Sequence, residues 1–179
     1  MKLIVGLGNV DRKYHGNRHN VGRRTIDLLA SQINKEWKPD AKFSASTIIG
    51  SNYILVQPNC FMNESGLVIA KLFNFYKVNP NDMYIVFDDL DIKIGEFKTQ
   101  LGKGPRDHNG LNSIYAKIGT KDFWHIRIGI ENRQNSGTHL SGEDYVLQDF
   151  TVDERATVDT AIKEVVSTLL KDVIKQPDK

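Results

Sequence analysis

The strongest constraint on the fold is a short apolar run that ends in glycine. Lys2 to Val5 lead directly into Gly6-Leu7-Gly8-Asn9, a pattern typical of a buried parallel strand that ends in a tight turn. In open α/β sheets, ligands bind just outside the carboxyl ends of such strands. The sequence therefore predicts that Asn9 lies at the mouth of a binding site.

A histidine follows this strand at the predicted start of a helix. Arg18-His19-Asn20 precedes an amphipathic pattern whose apolar stripe is Thr25, Ile26, Leu29, Ala30 and Ile33. At such a turn, His19 can act in catalysis or can simply hydrogen-bond to the backbone. The local sequence leaves both interpretations open.

The rest of the chain alternates strand and helix patterns. We expect strands over 43–49, 53–56, 83–87, 96–99 and 124–130, and helices that begin near Asn63, at Asn109 and after the capping box Thr151-x-x-Glu154. Residues 132–150 are polar and loop-like. Since no repeat or linker divides the chain, we predict one domain over 1–179, an α/β fold with a twisted mixed β-sheet flanked by helices on both faces.

Composition excludes several classes of protein. The single cysteine, Cys60, rules out an internal disulfide framework and a CxxC metal site, and it suits a reducing compartment such as the cytoplasm. No apolar run approaches the ~20 residues that span a bilayer, so we expect no membrane association. The net charge is only +2, but a local group of cations, Lys98, Lys103 and Arg106, could bind phosphate.

Five polar residues at strand ends or helix starts suggest one chemistry. They are Asn9, His19, Asn63, Asp88 and Asn109. An imidazole that is oriented by a carboxylate can deprotonate a water molecule, and asparagine amides can stabilise an oxyanion or hold a substrate amide. There is no GxSxG nucleophile elbow, and Cys60 is interpreted as a packing residue. The set therefore favours hydrolysis by an activated water.

Two other interpretations of these segments are weaker. Gly6-Leu7-Gly8 could open a dinucleotide fingerprint, but Asp11 occupies the third glycine position and would face a pyrophosphate. His19 with Asp88, Asp89 and Asp91 could form the Mg²⁺ or Mn²⁺ site of a nuclease. However, consecutive aspartates on an extended chain point to opposite sides, which hinders joint ligation of one ion.

The sequence resembles bacterial-type peptidyl-tRNA hydrolases. The matching segments occur in the family's order over residues 1 to about 150: KLIVGLGN at 2–9, Tyr14, RHNVG at 18–22, FMNESG at 61–66, DDLDIKIG at 88–95, HNGLNSI at 108–114 and FWHIRIGI at 123–130. The resemblance implies a monomeric enzyme that needs no metal or cofactor. It also implies cleavage of the ester that joins a peptide to the terminal adenosine of tRNA.

The same resemblance assigns roles to individual residues. It implies that His19 is the general base, that Asp88 orients it and that Asn9 belongs to the catalytic group. Residues assigned to substrate binding are Tyr14, Phe61, Asn63, Asn109 and Arg127, to which we add Lys98 and Lys103 as candidates for the tRNA 5′-phosphate.

This chain also departs from the family pattern. Val10-Asp11 stands where Pro-Gly is usual, the loop over 102–107 replaces a glycine-rich run, and Gln100 occupies the position of a second phosphate-binding cation. We expect Lys98 or Lys103 to supply the missing charge. A catalytically silent homologue that binds RNA or a protein remains an alternative, and the metal nuclease is a third.

Overall fold

Strand β1 (Lys2–Gly6) lies inside a seven-stranded sheet in the computed structural model, which describes residues 1–174. The other strands are β2 (Lys38–Asp40), β3 (Ala45–Ile49), β4 (Tyr53–Pro58), β5 (Met83–Lys93), β6 (Phe97–Leu101) and β7 (Trp124–Glu131). Their order is β2-β3-β4-β1-β5-β7-β6. Strand β1 runs parallel to β4 and β5, and β5 runs parallel to β7. The pairs β2–β3, β3–β4 and β6–β7 are antiparallel, so the sheet is mixed as predicted.

Helices cover both faces of this sheet. They are α1 (Val21–Gln32), α2 (Ser65–Phe75), α3 (Asn109–Ile118), α4 (Arg133–Ser136), α5 (Gly142–Val146) and α6 (Val152–Thr168), and α6 continues in π-helical turns over Leu169–Ile174. Among the described residues, no helix is both long enough and apolar enough to cross a membrane.

The side chains of β1 alternate between two hydrophobic layers. Ile4 packs in the layer that contains Ile26 of α1 and Ile162 of α6. Leu3 and Val5 pack in the opposite layer, with apolar residues of α2 and α3. Because both faces of β1 are buried, a continuous apolar run rather than an alternating one encodes this strand. The prediction of a buried parallel strand is confirmed.

Two predictions about local structure were wrong, and one strand was missed. Strand β5 does not end at Phe87 but continues to Lys93, because Asp88 and Asp89 both lie in register with β7 and both find polar partners. Residues 132–150 are not only loop, since they contain α4 and α5. The short edge strand β2 was not predicted; it is three residues long and contains Pro39, which weakens any strand signal.

One glycine permits the close packing that positions the site. A Cβ atom at Gly22 would lie 2.2 Å from the carbonyl oxygen of Val86 in β5. Any larger residue at the start of α1 would therefore push this helix away from β5. Because His19 lies in the turn Arg18–Asn20 that leads into α1, Gly22 allows His19 to approach the strand that carries Asp88.

A buried histidine outside the site is held neutral by its neighbours. The Nδ1–H group of His125 donates to the carbonyl of Phe123 (2.9 Å), and Nε2 accepts from the hydroxyl of Tyr115 (2.8 Å). Burial lowers the pKa of His125 from 6.5 to about 4. Protonation of His125 would remove the nitrogen that accepts the hydrogen bond of Tyr115, so low pH should destabilise the folded state.

Replacing His125 by phenylalanine should make stability less dependent on pH. At pH values between the folded and unfolded pKa of His125, the unfolded state binds more protons than the folded state. Lowering the pH from about 7 to about 5 should therefore lower the unfolding free energy of the wild type by about 2 kcal/mol through His125 alone. Urea unfolding at both pH values measures this loss. An equally steep loss in His125→Phe would contradict the assignment.

Candidate active site

A cavity of about 860 Å³ opens where β1 and β5 deliver polar residues. Among the residues predicted for the site, those that line it are Asn9, Tyr14, His19, Phe61, Asn63, Asp88 and Asn109. Asn9 follows β1, His19 lies in the 3₁₀ turn before α1, and Asp88 lies in β5. Segments that are far apart in sequence therefore converge at one end of the sheet, as the carboxyl-end rule predicts.

His19 and Asp88 form the buried centre of this cavity. Nδ1 of His19 lies 2.8 Å and 2.9 Å from the two carboxylate oxygens of Asp88. A carboxylate accepts hydrogen bonds, so Nδ1 carries the proton and Nε2 of the neutral ring has a free lone pair. The arrangement can orient an imidazole as a general base.

A second imidazole, His108, binds the same carboxylate and was missed in the sequence analysis. His108 caps the N-terminus of α3, where its Nδ1 accepts from the backbone N–H groups of Gly110 (3.1 Å) and Leu111 (3.3 Å). Its Nε2 must then be the protonated nitrogen, and it donates to Oδ1 of Asp88 (3.0 Å). Histidine is not one of the usual N-cap residues, so the local sequence indicates neither this cap nor its partner Asp88.

These two donors keep Asp88 ionised although only 2% of it is exposed. Burial by itself would raise its pKa, but electrostatic attraction to His19 and His108 and the hydrogen bonds from both rings hold that pKa well below its usual range. The cap also fixes the ring of His108, because its Nδ1 accepts from two backbone N–H groups and leaves the Nε2–H group for Asp88. Asp88 is therefore available to His19 as a full negative charge.

Hydrogen bonds engage every polar group of Asn9 except the N–H groups of its side-chain amide. Its backbone N–H donates to Oδ1 of Asn20 (2.8 Å), and Nδ2 of Asn20 donates to its carbonyl (2.9 Å). Its side-chain Oδ1 accepts from the backbone of Met62 (2.8 Å). The Nδ2 group is thus the part of Asn9 that can donate to a ligand. Asn20, which sequence reasoning also missed, is the residue that locks this turn.

The other predicted cavity residues lie at its rim. Asn63 is exposed in the 3₁₀ turn before α2, and Asn109 is exposed at the start of α3. Tyr14 is half-buried, and Phe61 is exposed. Exposed amides and an exposed aromatic ring at a rim offer hydrogen bonds and apolar contact to an incoming ligand. Their positions agree with substrate contacts, while their roles stay predictions.

The structure does not bring Arg127, Lys98 or Lys103 into this cavity. Arg127 is buried, and it donates from Nε to Asp89 (2.7 Å) and from Nη1 to Gln100 (2.8 Å). Lys98 and Lys103 are exposed. A phosphate contact by these residues stays a prediction, and for Arg127 it requires that the guanidinium give up a protein partner.

His19, Asp88 and His108 also lie close enough together to hold a metal ion, with candidate ligand atoms within 4.8 Å of one another. However, both imidazole nitrogens that face Asp88 are N–H donors and have no lone pair to offer. The prediction that Asp88 and Asp89 point to opposite sides is confirmed, because Asp89 bonds to Arg127. The arrangement suits a hydrogen-bonded base better than a metal centre.

Comparison with known proteins gives a consistent result. The family model described as peptidyl-tRNA hydrolase matches residues 3–178. The chain is 37% identical over 169 residues to a peptidyl-tRNA hydrolase of Mycobacterium marinum, covering 90% of this chain and 85% of that protein. It is 39% identical over 170 residues to one of Bacillus cytotoxicus, covering 93% and 90%. A crystal structure of peptidyl-tRNA hydrolase from Acinetobacter baumannii superposes with a TM-score of 0.86 at 32% identity, covering 95% of this chain and 87% of that one.

The tautomers of the two histidines can be measured directly. We expect ¹⁵N NMR at slightly alkaline pH to give Nδ1–H for His19 and Nε2–H for His108, because Asp88 accepts from these two nitrogens. A proton on Nδ1 of His108, or on Nε2 of His19 alone, would contradict the hydrogen-bond pattern described for Asp88.

Proposed function

The chain belongs to the peptidyl-tRNA hydrolase family and hydrolyses peptidyl-tRNA, and we propose that it does so with a water molecule activated by His19. One observation carries this mechanism: Nδ1 of His19 is fixed on the ionised Asp88, and both residues line the cavity that Asn9, Asn63 and Asn109 also line. The alternative of a catalytically silent homologue leaves this oriented base without a purpose.

The first step transfers a proton from water to Nε2 of His19. The water oxygen attacks the ester carbonyl, and negative charge develops on the carbonyl oxygen. Asp88 stabilises the imidazolium, and general-base help of this kind contributes about 10²–10⁴ in rate. The bond between the carbonyl carbon and the ribose oxygen then breaks, and the imidazolium returns its proton to that oxygen.

The asparagines supply neutral hydrogen-bonding groups around this reaction. Nδ2 of Asn9, whose Oδ1 is engaged by Met62, is the proposed donor to the developing oxyanion. Asn63 and Asn109 are proposed to hold the amide of the substrate. Neutral amides suit an N-acylated substrate, whereas a carboxylate in their place would attract the free ammonium of an aminoacyl-tRNA.

We propose that Lys98 and Lys103 contact the phosphates of tRNA. Lys98 lies directly opposite Arg127 in the β6–β7 pair, so both side chains lie on one face of the sheet, together with Gln100 two residues further along β6. Gln100 is neutral and is already bonded to Arg127. The exposed ammonium of Lys98, on the same face, is therefore our proposed replacement for a cation at position 100.

Two further properties are proposed at a finer level. The enzyme acts as a monomer, since one chain supplies the base, its carboxylate and the amides of the cavity. It acts in the cytoplasm, as the chemistry of translation and the lone Cys60 suggest.

Removing the base should abolish turnover and spare binding. In His19→Ala we expect kcat on N-acyl-aminoacyl-tRNA to fall by about 10²–10⁴, because no other imidazole nitrogen in the site has a free lone pair. The Kd for tRNA should stay within about 2-fold of the wild type, since the lost group contacts water rather than phosphate.

His15→Ala is the matched control, because His15 is exposed in the same segment. Its kcat should equal that of the wild type. An assay with EDTA should give ester cleavage at an unchanged rate and intact RNA. Turnover in His19→Ala similar to the control would remove His19 from the mechanism, and cleavage of the RNA chain would favour the nuclease.

Neutralising a phosphate contact should flatten the salt dependence of tRNA binding. For Lys98→Gln and Lys103→Gln we expect weaker binding and a slope of log K against log salt that is smaller by about 1 for each lost contact. Lys163→Gln, an exposed lysine on α6, should keep the slope of the wild type. Unchanged slopes in both test variants would reject this interface.

A further inference from the structure

Arg18, the neighbour of His19, is almost fully buried and has no part in the mechanism above. Only 4% of it is exposed. Its side chain points away from Asp88 toward the segment over 141–150, here called the rim segment. Ser141, Gly142, Glu143, Val146 and Leu147 of the rim segment line the cavity. Arg18 thus lies between the catalytic turn and one wall of the site.

The backbones of the catalytic turn and the rim segment are paired. The N–H of Arg18 donates to the carbonyl of Gln148 (3.0 Å), the N–H of Phe150 donates to the carbonyl of Gly16 (3.4 Å), and Asn17 forms an antiparallel bridge with Asp149. Nδ2 of Asn17 also donates to the carbonyl of Leu147. These hydrogen bonds fix the rim segment next to residues 16–18, which immediately precede His19 in the chain.

The guanidinium of Arg18 reinforces this pairing from inside. Its Nη1 donates to the carbonyls of Gln148 (3.1 Å) and Asp149 (2.9 Å), and its Nη2 donates to Glu154 (2.5 Å). Its Cζ atom lies 4.0 Å from the ring centre of Tyr145. The side chain of Arg18 thus contacts the backbone and an aromatic ring of the rim segment and, through Glu154, the first turn of α6.

Glu154 is equally committed to this contact. It is buried, and it also accepts from the backbone of Thr151 (2.9 Å), from Asn132 (3.0 Å) and from the hydroxyl of Tyr145 (3.4 Å). Burial would raise the pKa of Glu154, but these hydrogen bonds and the charge of Arg18 lower it. The carboxylate therefore stays charged opposite the guanidinium.

Stability is a poor explanation for this buried ion pair. Desolvation of two charges offsets most of their attraction, and apolar residues of similar volume often stabilise such sites at least as well. Nε of Arg18 has no hydrogen-bond partner although it is buried, which is a further cost. What the pair does supply is a fixed geometry, because the planar fork of arginine fits only one arrangement of its acceptors.

We infer that Arg18 is a positioning residue for hydrolysis: it fixes the rim segment relative to His19, so that the cavity wall formed by Val146 and Leu147 is in place when substrate enters. This inference deepens the proposed function and rests on it. Arg18 acts through the rim segment and does not touch the reacting atoms.

The test is a comparison of KM and kcat for peptidyl-tRNA in Arg18→Lys and Arg18→Gln. Lysine keeps the charge but cannot contact both carbonyls, Glu154 and the ring at once. We expect KM to rise about 10-fold in both variants and kcat to change by less than about 3-fold. The pH profile of kcat should not move, because the contact between His19 and Asp88 is intact.

Arg24→Gln is the matched control. Arg24, in α1, binds α6 through Asp159, and its guanidinium lies 5.7 Å from the ring centre of Phe150, but it forms no hydrogen bond with the carbonyls of the rim segment. Its KM should equal that of the wild type. In Glu154→Gln we expect a raised KM, and the double variant with Arg18→Gln should be no worse than Arg18→Gln alone, because both changes remove one shared contact.

A merely structural role predicts a different result. Arg18→Gln would then lower the fraction of active enzyme, so kcat would fall at an unchanged KM; this outcome, or a KM equal to that of Arg24→Gln, overturns the inference. If Arg18→Gln does not fold, backbone amide hydrogen exchange in Arg18→Lys distinguishes a positioning role from a merely structural one. Faster exchange over 145–150 than over α1 supports the inference, and equal exchange overturns it. Failure of the proposed function would appear separately, as full turnover in His19→Ala.

Discussion

The structure of this site depends on one buried carboxylate that accepts hydrogen bonds from two imidazoles. Asp88 could not stay charged at its depth without donors, and His19 and His108 are those donors. The two rings are not equivalent. His108 is fixed by the N-terminus of α3 and has no lone pair left, whereas Nε2 of His19 is free. Burial by itself would favour the neutral form of Asp88. Once both donors are present, burial instead strengthens the hydrogen bonds between Asp88 and His19.

The fold explains how these three residues meet. Parallel strands β1 and β5 are neighbours, so the turn after β1 and the polar end of β5 share one edge of the sheet. Gly22 lets α1 begin against β5 and carries His19 with it. The start of α3 then delivers His108 from the face on which α3 packs. On the far side of His19, Arg18 ties the catalytic turn to the segment that closes the cavity.

The sequence was informative where a pattern is local. The apolar run of β1, the capping box of α6 and the placement of Asn9 and His19 at element ends all follow from short-range rules. It failed where partners are distant. Two adjacent aspartates looked like the end of a strand, because their partners Arg127, His19 and His108 lie far away in the chain. The burial of Arg127 was hidden for the same reason, and so was the bond between His108 and Asp88, which are 20 residues apart.

Replacing Asp88 by asparagine tests the central claim most directly. An amide at position 88 has the same shape, but it can accept only on one atom and would present N–H groups to one of the imidazoles. We predict that kcat for peptidyl-tRNA falls by about 10²–10⁴ while KM stays near that of the wild type, because the base loses its orientation and its counter-charge. Asp82→Asn, at the opposite end of β5 from the site, is the control, and its kcat should equal that of the wild type. A kcat in Asp88→Asn equal to that of the wild type would contradict the account.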